Sequence, residues 1–364
     1  MRALGLMSGT SLDGIDVALL TTDGVSAGQR GPSATYPYPP EFRALLRQAL
    51  ADATALTARD HRPGCLAQAE HLLTLRHATA VAEFLKANGI SAASIDLIGF
   101  HGQTVLHRPA DRLTLQLGLG PLLAKLTGID VVFDLRAADV AAGGQGAPLV
   151  PAYHRALAGA LPQRPVAFLN VGGVANLTWI GHDGGLTAFD TGPGNAPIDD
   201  FVRGRTGAAF DAGGALTAAG TPDADFVQQF LTHAYFTERP PKSLDRNAFG
   251  YDLSANIPYA DGAATLAACA AGAVARAREW LPSRPELWVI CGGGRHNRGL
   301  MLALAHALDG AVAPAEAVGL NGDTLEAEAW AYLAVRSVNG LPVTFPATTG
   351  APRPLTGGVL ATAK

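Results

Sequence analysis

The sequence is short of the features that mark several specialised classes of protein. Three cysteines in 364 residues, Cys65, Cys269 and Cys291, are too few and too scattered for a disulfide framework or a thiolate metal site. Reduced thiols in a cytoplasmic setting are the expectation. Charge is sparse at 16%, and a net charge of −4 with a pI near 6.2 leaves no basic footprint for nucleic acid or an anionic membrane surface. No apolar run approaches the length of a membrane span, about 18 residues or more. The nearest, residues 263–275, is rich in alanine and ends at Arg276. Nor do the first residues read as a signal peptide, because Ser8, Gly9 and Asp13 interrupt them too early. Two common site motifs are also missing, the Walker A loop and His-Glu-x-x-His. His71 and His77, six apart on one helical stretch, are therefore expected to be structural or exposed.

What is present is 48% apolar residues punctuated by 43 Gly and 24 Pro, with length for about two domains. Residues 4–20 organise the reading. Two apolar runs flank Ser8, Gly9, Thr10, Ser11, Leu12, Asp13 and Gly14, a pattern expected of a β-hairpin. Its tip offers two glycines, three hydroxyls and a carboxylate. Glycine admits backbone N–H groups close to an anion, so this loop is a candidate phosphate cradle. An ordinary turn favours the same residues, and both readings stand at this point.

Helices are expected over residues 41–50 and 66–87, the second ending at Asn88-Gly89. A strand over 95–100 runs into His101, Gly102, Gln103 and Thr104, polar residues where an α/β strand meets its ligand crevice. Further strands are expected at 113–117 and 130–133, and a helix at 121–127. Gly143, Gly144 and Gly146 surround Gln145, marking either a close backbone approach or a hinge. The domain boundary is placed there, giving 1–140, joined by about 345–364, and 141–344.

The second half repeats the first in outline. A strand at 166–170, a turn through Gly172 and Gly173, and a strand at 177–180 form a second hairpin. Asp190 follows a strand end ahead of Gly192-Pro193-Gly194, a position suited to a catalytic base or to a turn cap. Residues 242–247 form a polar island that could lie over an active site. A strand at 287–290 leads into Gly292, Gly293, Gly294 and Asn297 and then a helix, a shape suited to a nucleotide at a helix N-terminus. Glu326 and Glu328 lie on one helix about 200° apart, so one is expected to face a site and the other solvent.

Together the stretches 5–16, 101–104, 139–152, 170–177, 189–195, 291–294 with Asn297, and 326–334 resemble the anhydro-N-acetylmuramic acid kinase family, within the sugar kinase/Hsp70/actin superfamily. The resemblance implies a two-domain α/β actin-like ATPase fold with nucleotide in the interdomain cleft. It implies an ATP- and Mg²⁺-dependent enzyme acting on 1,6-anhydro-N-acetylmuramic acid, with water opening the anhydro bridge while O6 is phosphorylated. Asp190 would be the base, with Glu326 orienting water or sugar. Gly9, Thr10, Ser11, Leu12, Asp13, Gly14, Ile15, Asp16, Gly172, Gly173, Gly292, Gly293, Gly294 and Asn297 would hold the nucleotide. His101 and Gln103 are candidate sugar contacts. Arg136 is the candidate for the lactyl carboxylate, which suits a guanidinium fork. The metal ligands are undetermined, and the family suggests a homodimer. The rivals are a plain sugar or acyl kinase, a non-catalytic nucleotide-binding regulator and, supported only by the triple glycine, a Rossmann oxidoreductase.

Overall fold

The computed structural model describes residues 1–9, 11–244 and 249–364. Thr10 and the 245–248 portion of the polar island therefore lie outside the described residues. The chain forms two compact units, Met1–Ala160 with Thr324–Lys364, and Leu161–Asp323.

The first unit begins with an antiparallel meander, β1 (Arg2–Met7), β2 (Gly14–Thr21) and β3 (Gln29–Pro37). The hairpin expected from residues 4–20 is β1–β2, with Met7 opposite Asp16. Strand β4 (Leu97–Phe100) lies parallel on the other side of β1. A separate hairpin follows, β5 (Gln103–Arg108) and β6 (Leu113–Leu117), before β7 (Val131–Phe133) pairs in parallel with β4. Strands β1 and β4 are nearly continuous in apolar residues because both of their faces are covered. Helices Pro40–Ala53 and Leu66–Ala87 cover one face, packing Phe42, Leu46, Leu73 and Phe84 against Leu4, Leu6 and Val17. The longer helix stops as expected, with Gly89 at φ 62° closing the turn. His77 within it is buried, and its Nδ1 lies 2.8 Å from the Leu73 carbonyl. His71 is exposed.

The second unit repeats this order. Strands β8 (Val166–Val171), β9 (Val174–Ile180) and β10 (Leu186–Pro193) form the meander, and β11 (Leu287–Cys291) and β12 (Ala311–Pro314) extend it in parallel from β8. The alanine-rich helix Tyr259–Ala277 and the helix Arg298–Ala307 pack on Leu169, Leu177, Trp288 and Ile290. No described helix is long and apolar enough to cross a membrane.

At Thr324 the chain returns to the first unit, where it ends with β13 (Val359–Ala361) paired to β7. The returning helix Leu325–Val338 lies on β1 and β4 at backbone contact. Gly5 and Gly99 are register partners in those strands. A Cβ on Gly5 would sit 1.7 Å from the Ala327 carbonyl oxygen, and one on Gly99 would sit 2.0 Å from that of Trp330. Only glycine admits the helix at that depth.

This packing moves the boundary from its expected place. Residues 141–160 and 324–344 belong to the first unit, not the second. The glycine-rich loop resembles a linker but is folded onto a buried carboxylate. Asp139 accepts the Gly146 N–H at 2.7 Å and the Thr349 hydroxyl at 2.7 Å. A Cβ on Gly144 would lie 2.2 Å from the Asp139 Oδ2.

Gly99→Ala is expected to lower unfolding stability by about 1–3 kcal/mol, since the helix must lift off the sheet. Gly204 sits in the helix Ala196–Thr206 with nothing among the described residues within 4 Å of an added Cβ. Gly204→Ala should add about 0.5–1 kcal/mol. Urea denaturation of both variants checks the pair.

Candidate active site

In the first unit, the β1–β2 tip is tied to the turn after β4. The Ser8 hydroxyl donates to the Gly102 carbonyl at 2.6 Å, and the Gln103 amide donates to the Gly9 carbonyl at 3.1 Å. His101 Nδ1 lies 3.0 Å from the Ser8 carbonyl. Leu12 adopts φ 56°, an uncommon conformation for a side chain of its bulk, and is held there by burial in the core. Ser11 and Asp13 are exposed at the tip, joined by a 2.7 Å hydrogen bond.

The rest of the expected cradle has other employment. Gly14 already lies in β2, where a Cβ would meet the Tyr36 carbonyl at 2.5 Å. Ile15 is a core residue, and Asp16 accepts from the Thr35 hydroxyl at 2.5 Å. The described part of the cradle that remains open is Gly9, Ser11 and Asp13.

Arg136 follows β7 and is held from several sides. It donates to the Gly146 carbonyl at 2.8 Å and lies 3.3 Å from His101 Nε2 through Nη2. Its guanidinium lies over the Trp330 ring, 5.6 Å from the centroid. Desolvation pulls it down to about 10, opposed by the nearby charges of Glu326 and Asp139, so it is a cation at neutral pH. Among the described residues its Nε has no hydrogen-bond partner, and neither has Gln103 Oε1.

The two glutamates part as their spacing requires, with one correction. Glu326 is half-buried near Arg136. Glu328 is not solvated. It is buried, accepts from the Tyr153 hydroxyl at 2.8 Å, and burial holds its carboxyl above the usual range. Tyr153 lies in the helix Pro151–Ala158, so this bond joins that helix to Leu325–Val338.

In the second unit, Asp190 lies within β10, not beyond its end. The strand continues to Pro193 through a register shift between Asp190 and Gly192. A bulge of this kind re-aims a side chain without ending the strand. The Asp190 carboxylate accepts the Leu244 N–H at 2.8 Å, and its carbonyl accepts the Tyr235 hydroxyl at 2.6 Å. Lys242 caps the Tyr235 ring at 4.2 Å, and its carbonyl receives the Asp190 N–H. Desolvation pushes the Asp190 carboxyl up to about 7, against the opposing pull of the Leu244 N–H.

The second unit's glycine turns are joined by asparagines. The Asn195 N–H donates to the Gly172 carbonyl at 2.7 Å, and the Gly194 N–H to that of Gly173 at 3.0 Å. Asn297 is buried. Its oxygen caps the helix Arg298–Ala307 by accepting the Leu300 N–H at 3.0 Å, and its amide donates to Asn195 Oδ1 at 3.2 Å. Gly292 and Gly294 pack on the end of β8, where added Cβ atoms would meet Asn170 Oδ1 at 2.3 Å and Val171 Cγ1 at 2.6 Å. A Cβ on Gly293 would have nothing within 4 Å among the described residues. Gly9 and Gly172 are nearly as open, with nearest atoms at 3.6 and 3.7 Å. Among the described residues, neither a positive φ nor a close neighbour requires glycine at these three positions.

A family model described as anhydro-N-acetylmuramic acid kinase matches residues 1–363. The chain belongs to this family. Proteins called anhydro-N-acetylmuramic acid kinase from Methylobacterium nodulans and Nitrobacter winogradskyi are 54% and 52% identical to it. The alignments cover 99% of this chain in both cases, and 100% and 99% of the relatives. Component A of the (R)-2-hydroxyglutaryl-CoA dehydratase of Acidaminococcus fermentans aligns over 93% of this chain and 99% of its own. Its TM-score is 0.50 at 11% identity, a likeness of fold alone. The chain shares its two-unit α/β fold with that protein.

Some residues around the candidate site carry little signal in the sequence. Tyr235 shapes the surroundings of Asp190 from a region without a recognisable motif, whereas Leu244 and Lys242, which also touch Asp190, lie in the described part of the polar island expected over a site. Arg295 is 2% exposed and joins Glu316, Asp323 and the Gly292 carbonyl, bracing the triple glycine. Its place directly after the glycines was the available clue.

The Asp190 carboxyl ionises near 7 in the fold but near 3.9 in an unfolded chain. Between those values the native state holds more protons, so this group lowers stability as pH rises from about 4 to about 7. Asp190→Asn removes that slope. The variant should melt higher than the parent at pH 8 and show no such gain at pH 4, as read by thermal unfolding at both pH values.

Proposed function

We propose that the chain is an ATP-dependent kinase that opens 1,6-anhydro-N-acetylmuramic acid with water while phosphorylating its O6. The products are N-acetylmuramic acid 6-phosphate and ADP, and the step belongs to cell-wall recycling and amino-sugar catabolism. Whole-chain membership of the family supports the substrate. The observation that carries the chemistry is Asp190, a carboxyl poised near neutrality at a strand bulge. A base works best when its pKa lies near the operating pH.

Asp190 takes a proton from water as the water oxygen bonds to C1 on the face opposite the bridge. The C1–O6 bond breaks, O6 bonds to the γ-phosphorus, and ADP departs with the oxygen that linked it. The departing O6 is captured by phosphorus, so one carboxylate suffices where an inverting hydrolase uses two. Glu326 orients the water or the sugar. Gln103 offers its unpartnered Oε1 to a sugar hydroxyl, and Arg136 receives the lactyl carboxylate on its remaining donors.

The open faces of Gly9, Gly172 and Gly293 suit nucleotide phosphates, with Ser11 and Gly173 adding donors. Leu12, Gly14, Ile15 and Asp16 shape the backbone around Gly9 in the first unit, and Gly292, Gly294 and Asn297 shape that around the glycine turns of the second. No three His, Cys, Asp or Glu residues gather as a metal cage among the described residues. Magnesium is usually held through phosphates and water with one or two carboxylates, a donor set that the exposed Asp13 fits. When bound, the ion neutralises charge on the transferring phosphoryl group. A cytoplasmic homodimer completes the proposal. The few and scattered cysteines, Cys65, Cys269 and Cys291, suit a reducing compartment.

Reaction with Mg-ATP and the anhydro sugar in ¹⁸O-water should give a 6-phosphosugar with one ¹⁸O at the anomeric carbon. Mass spectrometry reads it. Asp190→Asn should lower kcat by about 10²–10⁴-fold, and the parent's kcat/KM should fall below about pH 7 as the base protonates. ADP release without the labelled product would overturn the proposal.

A further inference from the structure

His101 has no ring nitrogen left for a sugar. The Ser8 carbonyl 3.0 Å from Nδ1 can only accept, so Nδ1 carries the proton. The guanidinium 3.3 Å from Nε2 can only donate, so Nε2 is the acceptor. Both neighbours demand the same neutral tautomer. Burial and the Arg136 charge, which push the imidazole down to about 3, keep it neutral. The ring is buried against Trp330, with centroids 4.6 Å apart, and Arg136 lies over the same indole.

We infer that His101 is a positioning residue that fixes the Arg136 guanidinium for recognition of a carboxylate on the substrate. Three contacts with different directions define the fork: the Gly146 carbonyl, His101 Nε2 and the Trp330 face. The first draws Nη1, the second draws Nη2, and the third sets the plane. Without His101 the guanidinium keeps its charge but loses its in-plane orientation. A bidentate pair depends on that orientation more than a point charge does. His101 is also anchored through Ser8, whose hydroxyl holds Gly102, so the turn after β4 and the β1–β2 tip share one support. The helix carrying Trp330 is seated on Gly5 and Gly99, which places the third contact without a flexible element.

The inference rests on the reading of Arg136 as the carboxylate partner, and the test separates the two. The substrate is compared with the same anhydro sugar bearing a primary amide in place of the lactyl carboxylate. The quantity measured is the ratio of kcat/KM for acid over amide. Arg136→Ala should collapse this ratio. His101→Phe keeps a ring against Trp330 but removes both polar contacts, and should narrow the ratio by about tenfold or more, the scale of one hydrogen bond to a charged group. His101→Gln restores an acceptor near the Nε2 position and should recover much of the ratio; it also serves if the phenylalanine variant does not fold. A ratio that survives Arg136→Ala overturns both readings, because His101 then has nothing to position. A ratio that collapses in Arg136→Ala but survives in His101→Phe overturns only the role of His101. Equal losses on acid and amide in His101→Phe would mark a structural histidine and overturn it as well.

Discussion

The first unit depends on a contact that contains no side chain on one partner. The helix Leu325–Val338 rests its carbonyls on Gly5 and Gly99, adjacent positions of β1 and β4. A methyl group at either glycine would occupy the space of a carbonyl oxygen, so the helix depth is set by sterics and not by a balance of attractions. From that depth follow the position of Trp330 beneath His101 and Arg136, the nearness of Glu326 to Arg136, and the burial of Glu328 against Tyr153. The helix arrives from the second unit at Thr324, so residues far apart in sequence share one rigid support.

Four carboxylates illustrate how surroundings decide chemistry. Asp139 is buried yet supplied with the Gly146 N–H and the Thr349 hydroxyl, which makes it a structural anchor for the glycine-rich loop. Glu328 is buried with one hydroxyl and joins two helices. Glu326 stands beside a cation and retains partial exposure. Among the described residues Asp190 receives one backbone N–H, too little to offset desolvation, and is left near neutrality. Donor supply, more than depth alone, separates the anchor from the candidate base.

Much of the architecture was legible because periodicity reports burial. Most expected strands and helices occur within a few residues of their predicted ends, and the β1–β2 and β8–β9 hairpins follow from apolar runs around small residues. The boundary was misplaced because glycine looks the same in a hinge as against a buried carboxylate, and only Asp139 distinguishes them. The expected solvation of Glu328 failed for a related reason. Helical spacing separates two faces but does not say what covers the second, and the covering Tyr153 lies 175 residues away. Tyr235, which lies against Asp190, carries no local pattern at all, whereas Leu244 belongs to the polar island that the sequence singles out.

Glycine also divides by cause, and the division bears on the cradle. Gly14, Gly292 and Gly294 are explained by neighbours within the protein, through Tyr36, Asn170 and Val171. Gly9, Gly172 and Gly293 are not, and among the described residues an alanine at any of them would meet no close atom. Glycine in a turn without a positive φ or a close neighbour gives up conformational entropy on folding with no return inside the fold. In the proposed reading a phosphate drawn close to the backbone supplies that return, for Gly9 in the first unit and for Gly172 and Gly293 in the second.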